Sequence, residues 1–201
     1  MTDPSLQGLL LDYATAVPAQ ATTVERFLAL LATRPDALLR SSFAPGHITA
    51  SAFVVAPSLE SCALLLHRKL GRWLQPGGHV DGEAAVWRAA QREVMEETGL
   101  STLRLWSPGE SIAIFDLDIH PIPPLRSEPA HEHFDIRFLF FADAPEQLAI
   151  SEESIDLAWV PLGRLAEWTD EPSVLRLRER YAAVVGSSER SRRDVAGDEL
   201  R

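Results

Sequence analysis

The spacing of apolar and polar residues along the chain predicts both helices and strands. Residues 1 to about 44 have apolar residues at helical spacing behind a capping sequence at 22–25, which predicts a helical extension that packs on the core or forms a dimer contact. The segment Glu83–Thr98 has no Pro or Gly and is followed by Gly99, a typical helix stop. A helical turn is predicted over residues 162–168 and a terminal helix over 173–185. Strands are predicted over residues 48–56, 62–67, 111–119, 134–142 and 157–160.

This order of elements indicates an α/β (α+β) fold, in which a mixed sheet is sandwiched between helices. We expect three parts: a helical extension over residues 1–44, the main domain over 45–185, and a tail over 186–201. The tail is polar and charged without apolar periodicity, so it is predicted to be disordered.

The negative charge of the chain disfavours some classes of function. The 201 residues carry a net charge of −10, with 46% hydrophobic and 24% charged residues, a composition typical of a soluble globular protein. A negative protein repels phosphate polymers, which argues against nucleic-acid and membrane-surface binding. The N-terminus does not resemble a leader peptide, and no apolar run approaches the roughly 18–20 residues that span a bilayer. We therefore expect a cytoplasmic protein, and an anionic substrate would need either a bound cation or clustered Arg and Lys in its site.

The single cysteine, Cys62, lies in an apolar run. One cysteine allows neither an intrachain disulfide nor a cysteine-based zinc site. We interpret Cys62 as a small buried hydrophobic residue on a strand.

Three carboxylates cluster on the predicted helix of residues 84–98. Glu93, Glu96 and Glu97 fall within one arc of the helical wheel, next to an apolar stripe that should face the core. Like charges at these spacings repel one another, and a hard divalent cation would offset that repulsion. The alternative is a solvated acidic face paired with Arg88 and Arg92.

The residues before this helix favour the metal site. Pro76-Gly77-Gly78 joins a strand end to the acidic helix, and paired glycines permit positive φ and a close approach of the backbone to a ligand. From Gly78 through Arg92-Glu93-Val94 and Glu96-Glu97 to Gly99-Leu100, the chain resembles the Nudix box. One position departs from that pattern, because Ala84 stands where the box has Glu. Glu83 lies one place early, which leaves the partner of Arg92 open.

The resemblance implies a Nudix-type α/β/α sandwich and a hydrolase of diphosphate compounds. It implies that Glu93, Glu96 and Glu97 bind Mg²⁺, with Mn²⁺ as an alternative, and that Arg92 orients Glu93. The backbone of Gly77 and Gly78 would shape the metal site. Water would attack a phosphorus of a nucleoside diphosphate linked to another group, and its proton would pass to a carboxylate. The candidates for that base are the box glutamates and two later acids, Glu152 and Glu153.

Several residues outside the box are candidates for substrate binding. Arg68 and Arg72 lie in a basic turn before the glycine loop and are candidate phosphate contacts, with a solvated turn as the alternative. Arg137 lies in an otherwise apolar strand and is a candidate phosphate or acid contact, with a plain edge charge as the alternative. His79 and His133 are predicted to line the substrate cleft.

A second metal is an open alternative in the same region. His131, His133 and Asp135 alternate along a predicted strand, so they share one face. Such a face can bind zinc, although polar strand ends are commoner.

Two other functions remain as alternatives to hydrolysis. A non-catalytic nucleotide sensor would use the same fold without turnover, and the intact acids argue against it. A prenyl diphosphate isomerase would need a cysteine in the pocket, and the expected burial of Cys62 disfavours it. The sequence leaves the substrate and the oligomeric state open, with a homodimer possible.

Overall fold

The computed structural model describes residues 3–109, 111–125, 128–143, 148–150 and 154–198, with side chains described as far as residue 186. None of the helices in these ranges is both long and apolar enough to cross a membrane. Two short 3-10 helices cover Pro18–Gln20 and Leu162–Glu167. The α-helices are α1 (Leu6–Ala16), α2 (Ala21–Thr33), α3 (Val86–Thr98) and α4 (Pro172–Asp198).

The strands within the described ranges form one mixed sheet of eight members. The parallel pair β1–β7 forms its middle, and β2 pairs antiparallel with both β3 and β8. Strand β4 pairs antiparallel with β1, while β5 and β6 pair with β7. The strands are β1 (Gly46–Val55), β2 (Ser61–His67), β3 (Arg72–Leu74), β4 (Gly77–His79), β5 (Leu103–Leu105), β6 (Asp116–Ile122), β7 (His131–Ala142) and β8 (Ser154–Pro161).

Helices cover both faces of the sheet, so the predicted α/β/α sandwich is confirmed. One core lies between the sheet and helices α1, α2 and α3. The other lies between the opposite face and α4 with the second 3-10 helix. Alternate residues of each strand enter different cores because side chains alternate across a sheet.

The N-terminal helices are part of the first core. Leu10 and Phe27 are fully buried, and the Phe27 ring meets Phe134 of β7 edge to face, with centroids 5.3 Å apart. The extension therefore packs on the sheet, which is one of the two predicted alternatives. Among the described residues, residues 1–44 form no core separate from that of the sheet.

Two predicted boundaries differ from the structure. The strand predicted over residues 111–119 begins only at Asp116 and continues to Ile122. It includes Pro121, which the ladder tolerates because β6 pairs with β7 on one side. Helix α4 extends from Pro172 to Asp198, past residue 185, the predicted end of the terminal helix, because residues 187–198 contain no proline. The disorder of the tail stays a prediction.

Candidate active site

Helix α3 presents its acids to strand β4. Val86, Ala90 and Val94 are buried in the first core, and Gly99 ends the helix in the left-handed conformation at φ 71°. The apolar side thus fixes the rotation of the helix. The backbone N–H of Gly77 donates to Oε2 of Glu97 at 2.8 Å, and Glu97 is 7% exposed.

The two glycines of β4 are needed for close approach. A Cβ at Gly78 would lie 2.5 Å from Oε2 of Glu93, and a Cβ at Gly77 would lie 2.2 Å from Cβ of Ser51. Neither glycine has a positive φ, so of the two properties that glycine permits, the structure uses the close approach of the backbone. A side chain at Gly78 would collide with the Glu93 carboxylate, and one at Gly77 would collide with Ser51 of β1.

Arg92 connects the acids to the glycine strand. Its guanidinium donates to Oε1 of Glu93 at 2.7 Å, to Oε2 of Glu96 at 3.4 Å and to the carbonyl of His79 at 2.9 Å. This geometry suits the predicted role of Arg92 in orienting Glu93. Glu83 accepts the N–H of Ala85 at 3.1 Å, so its hydrogen bond supports the start of the helix.

The basic turn before the loop makes contacts within the protein. Arg68 donates to the carbonyl of Ser154 at 3.0 Å, and Arg72 forms an ion pair with Glu171. The two residues predicted to meet substrate phosphate therefore lie by β8 and by the start of α4. Their role in binding stays a prediction.

Arg137 is buried in a network of charges. It is 1% exposed, and its guanidinium lies 2.8 Å from Asp135, 3.4 Å from Asp116 and 3.2 Å from Asp118. It also donates to the carbonyl of Ser173 at 3.0 Å. Three carboxylates therefore surround the Arg137 guanidinium, and its role in binding a phosphate stays a prediction.

Asp118 is held as a carboxylate by this network. Burial alone would raise the pKa of Asp118, but the hydrogen bond from His120 and the nearby charges of Arg137 and Arg176 hold that pKa well below its ordinary range. Arg176 donates to both Asp116 and Asp118, at 2.8 and 3.0 Å. The network fastens α4 to β6 and β7.

A group of histidines adjoins the network on the same face of the sheet. His79 and His133, the two predicted cleft residues, lie together with rings 5.6 Å apart. The sequence analysis did not single out His47, which lies opposite His133 in the β1–β7 register. The alternation of His47, Thr49 and Ser51 with apolar residues along β1 was the signal for it.

Asp135 has other partners than the histidines. Its carboxylate accepts the hydroxyls of Thr49 and Ser51 at 3.2 and 2.8 Å, besides the contact with Arg137. The grouping considered for zinc is therefore altered, because His47 and His79 join His133 where Asp135 was expected.

The later acids and the cysteine are the remaining residues considered from the sequence. Glu152 and Glu153, the later acids considered as the base, lie outside the described residues. Cys62 is fully buried in the second core, as expected, and burial raises the pKa of its thiol to about 12.

Solved structures of several hydrolases share this fold. They include an Ap4A hydrolase from C. elegans in a binary complex, at 18% identity over 70% of this chain and 98% of that one, with a TM-score of 0.55. The dihydroneopterin triphosphate pyrophosphohydrolase of E. coli matches at 17% identity over 66% and 92%, with a TM-score of 0.53. A NUDIX family hydrolase from Clostridium perfringens matches at 22% identity over 69% and 97%, with a TM-score of 0.51. No curated protein matches the chain.

The family model decides the identity. The model of the NUDIX domain matches residues 45–181, which is more than half of the chain and includes the whole box. It also spans the strands and the helix α3 that bring the box acids to the glycine strand. The chain therefore belongs to the Nudix family of acid anhydride hydrolases.

Proposed function

We propose that the protein hydrolyses a phosphoanhydride bond in a nucleoside diphosphate linked to another group, and that it does so with Mg²⁺ or Mn²⁺. The observation that carries the proposal is the packing of Glu93 and Glu97 against Gly77 and Gly78. A Cβ at position 78 would lie 2.5 Å from Oε2 of Glu93, so the glycine allows this carboxylate to lie against the strand.

The donor set fits a hard divalent cation. Glu93, Glu96 and Glu97 supply oxygen ligands, which Mg²⁺ and Mn²⁺ prefer. Glu93 is held by Arg92 and Glu97 by the N–H of Gly77, so both carboxylates are fixed beside the glycine strand. When bound, the ion supplies charge neutralisation at the phosphates and a more acidic water.

The residues of the chain then orient the reaction. Arg92 fixes Glu93 through the 2.7 Å contact and ties the helix to the carbonyl of His79. The attacking water forms a bond to one phosphorus, the bridging oxygen leaves with the other phosphate, and the water gives up a proton. We assign that proton to a box carboxylate, and Glu96, whose side chain is 60% exposed, is the most exposed of the three.

Turnover of a panel of diphosphate compounds tests the proposal. The panel should include nucleotide sugars, ADP-ribose, dinucleoside polyphosphates and nucleoside triphosphates, each assayed with Mg²⁺, with Mn²⁺ and with chelator. Glu97→Gln can still accept the N–H of Gly77, so it removes charge with little change of shape. Glu25→Gln on α2, an exposed residue, is the matched control.

We expect chelator-sensitive turnover that falls at least about a hundredfold in Glu97→Gln and stays unchanged in Glu25→Gln. No turnover of any compound by a folded protein that binds nucleotide would contradict the proposal and favour the sensor. Turnover that survives in Glu97→Gln would contradict the assigned site.

A further inference from the structure

Five of the six histidines meet on the face of the sheet that carries α4. The ring centroids of His47 and His133 are 4.8 Å apart, and those of His47 and His79 are 5.2 Å apart. His131 stacks on His47 at 5.0 Å, and His120 lies 5.5 Å from His133. These contacts bring the five imidazole rings into one cluster.

The strand register produces the group. His47 of β1 pairs with His133 of β7, and the neighbouring Thr49 pairs with His79 of β4. The three histidines come from three strands, and they share one face because side chains alternate. One nitrogen from each ring lies within 4.8 Å of the others, and among the described residues this is the only such group of three or more potential metal ligands.

One ring nitrogen of His47 has no hydrogen-bond partner among the described residues. Its Nδ1 lies 3.0 Å from the carbonyl of Ser42, so Nδ1 carries the proton and donates. The lone pair is therefore on Nε2, which is buried and has no hydrogen-bond partner among the described residues. The residue is 1% exposed, so solvent does not satisfy that nitrogen.

Hydrogen bonds at Nδ1 also hold the flanking rings. His131 Nδ1 lies 2.8 Å from the carbonyl of Pro129, and His120 Nδ1 lies 3.1 Å from Oδ2 of Asp118. Histidines that bind metals are typically fixed in this way, with one nitrogen on a carbonyl or carboxylate and the other directed at the ion.

Burial disfavours the charged form of His47, His79 and His133 by lowering the pKa of each ring. Burial, and after it the neighbouring His47 and His120, lowers the pKa of His133 to about 2. Burial, followed by the charge of Arg40, lowers the pKa of His79 to about 4. An imidazole nitrogen with a free lone pair is a ligand for a metal cation.

We propose that His47, His79 and His133 bind a transition-metal ion of the Zn²⁺ class, at a site separate from the box carboxylates. Imidazole nitrogen suits Zn²⁺ and disfavours Mg²⁺, so the two sites take different ions. Three histidines leave one tetrahedral position, and the partly exposed side at His79 and His133 gives a further ligand access to it.

The site is next to the proposed active site along one strand. His79 follows Gly78, which faces Glu93, and its carbonyl accepts Arg92. An ion on the His79 ring would therefore hold β4 in the position that the acids require.

Metal titration tests the proposal without any substrate. Untagged full-length protein is stripped with a chelator and titrated with Zn²⁺ against a chromophoric chelator, in excess Mg²⁺. The variants are His47→Gln, His79→Gln and His133→Gln. The controls are His67→Gln, the sixth histidine, and Glu97→Gln in the box.

We expect one tight equivalent of Zn²⁺ in the native protein and in both controls, weakened at least about a hundredfold in the histidine variants. Bound Zn²⁺ should also raise the melting temperature of the native protein and leave that of His133→Gln unchanged. Should His47→Gln fail to fold, the half-buried His79→Gln gives the same information.

Three results would overturn the proposal. They are absence of tight Zn²⁺ binding by the native protein, equal binding by the histidine variants, and loss of binding in Glu97→Gln alone. The last would place the ion in the box. Because none of these readouts uses turnover, the histidine site and the hydrolase activity stand or fall separately.

Discussion

The two glycines of β4 should respond differently to the same added methyl group. In Gly78→Ala, the new Cβ would lie 2.5 Å from Oε2 and 2.7 Å from Cδ of Glu93. Carbon atoms in contact sit about 3.5 Å apart, so the carboxylate must retreat by about 1 Å. The end of a glutamate side chain can make that movement easily, and position 78 has an ordinary φ.

The expected cost of Gly78→Ala therefore falls on catalysis. A displacement of about 1 Å at a catalytic group costs about a hundredfold in rate, or ~2.7 kcal/mol of transition-state stabilisation. The free energy of unfolding should change by less than about 1 kcal/mol.

Gly77→Ala is the matched comparison. Its Cβ would lie 2.2 Å from Cβ and 2.5 Å from Cα of Ser51, atoms that belong to the adjacent strand and cannot swing away. Strands β1 and β4 would separate, at a cost of about 1–3 kcal/mol. A chain of this size loses about 2–4 °C in melting temperature per kcal/mol.

The assay measures kcat/KM on the best substrate of the panel, together with thermal unfolding of both variants. We expect Gly78→Ala to keep its melting temperature and lose activity, and Gly77→Ala to lose several degrees. Native activity in Gly78→Ala, or equal destabilisation of the two variants, would refute the reasoning.

Three further predictions concern other parts of the molecule. Arg92→Lys keeps the charge but loses the fork that holds Glu93 and the His79 carbonyl, so kcat should fall about tenfold to a hundredfold; unchanged steady-state kinetics would remove Arg92 from its proposed role. Asp118→Asn should lower the free energy of unfolding at pH 7 by about 1–3 kcal/mol. The folded pKa of Asp118 lies below the unfolded value of about 3.9, so this stabilisation is complete above about pH 4 and is lost as the pH falls further. Urea unfolding at pH 7 and pH 3 checks it, and an equal difference between native and variant at both values would contradict it. Cys62→Ala should keep full turnover, and native Cys62 should resist thiol reagents at pH 8 because burial raises its pKa to about 12; rapid reaction of Cys62 with such a reagent would show an accessible thiol and contradict this assignment.

Local periodicity predicted the elements better than it predicted the site. Helix α3 and its end at Gly99 follow from helical spacing and from one left-handed glycine, both of which are local signals. Strand β6 was misplaced because its start depends on pairing with β7, a contact that no short window contains.

The same reason explains what was missed at the site. His131 and His133 could be assigned to one face because they are two residues apart. That His47 joins them depends on the register of two strands distant in sequence. Likewise, Arg137 in an apolar strand stood out, but its enclosure by Asp116 and Asp118 depends on how β6 pairs beside it.

The burial of Phe27 against Phe134 has a consequence for how the chain is made. The N-terminal helices leave the ribosome before β7 is synthesised. Until then, the apolar residues that pack on the sheet stay exposed, where they can bind chaperones or aggregate. A shortened gene product that starts at residue 45, the first residue matched by the family model, would have the reverse defect. It would carry the box intact and still expose Phe134, so expression trials should keep the first two helices.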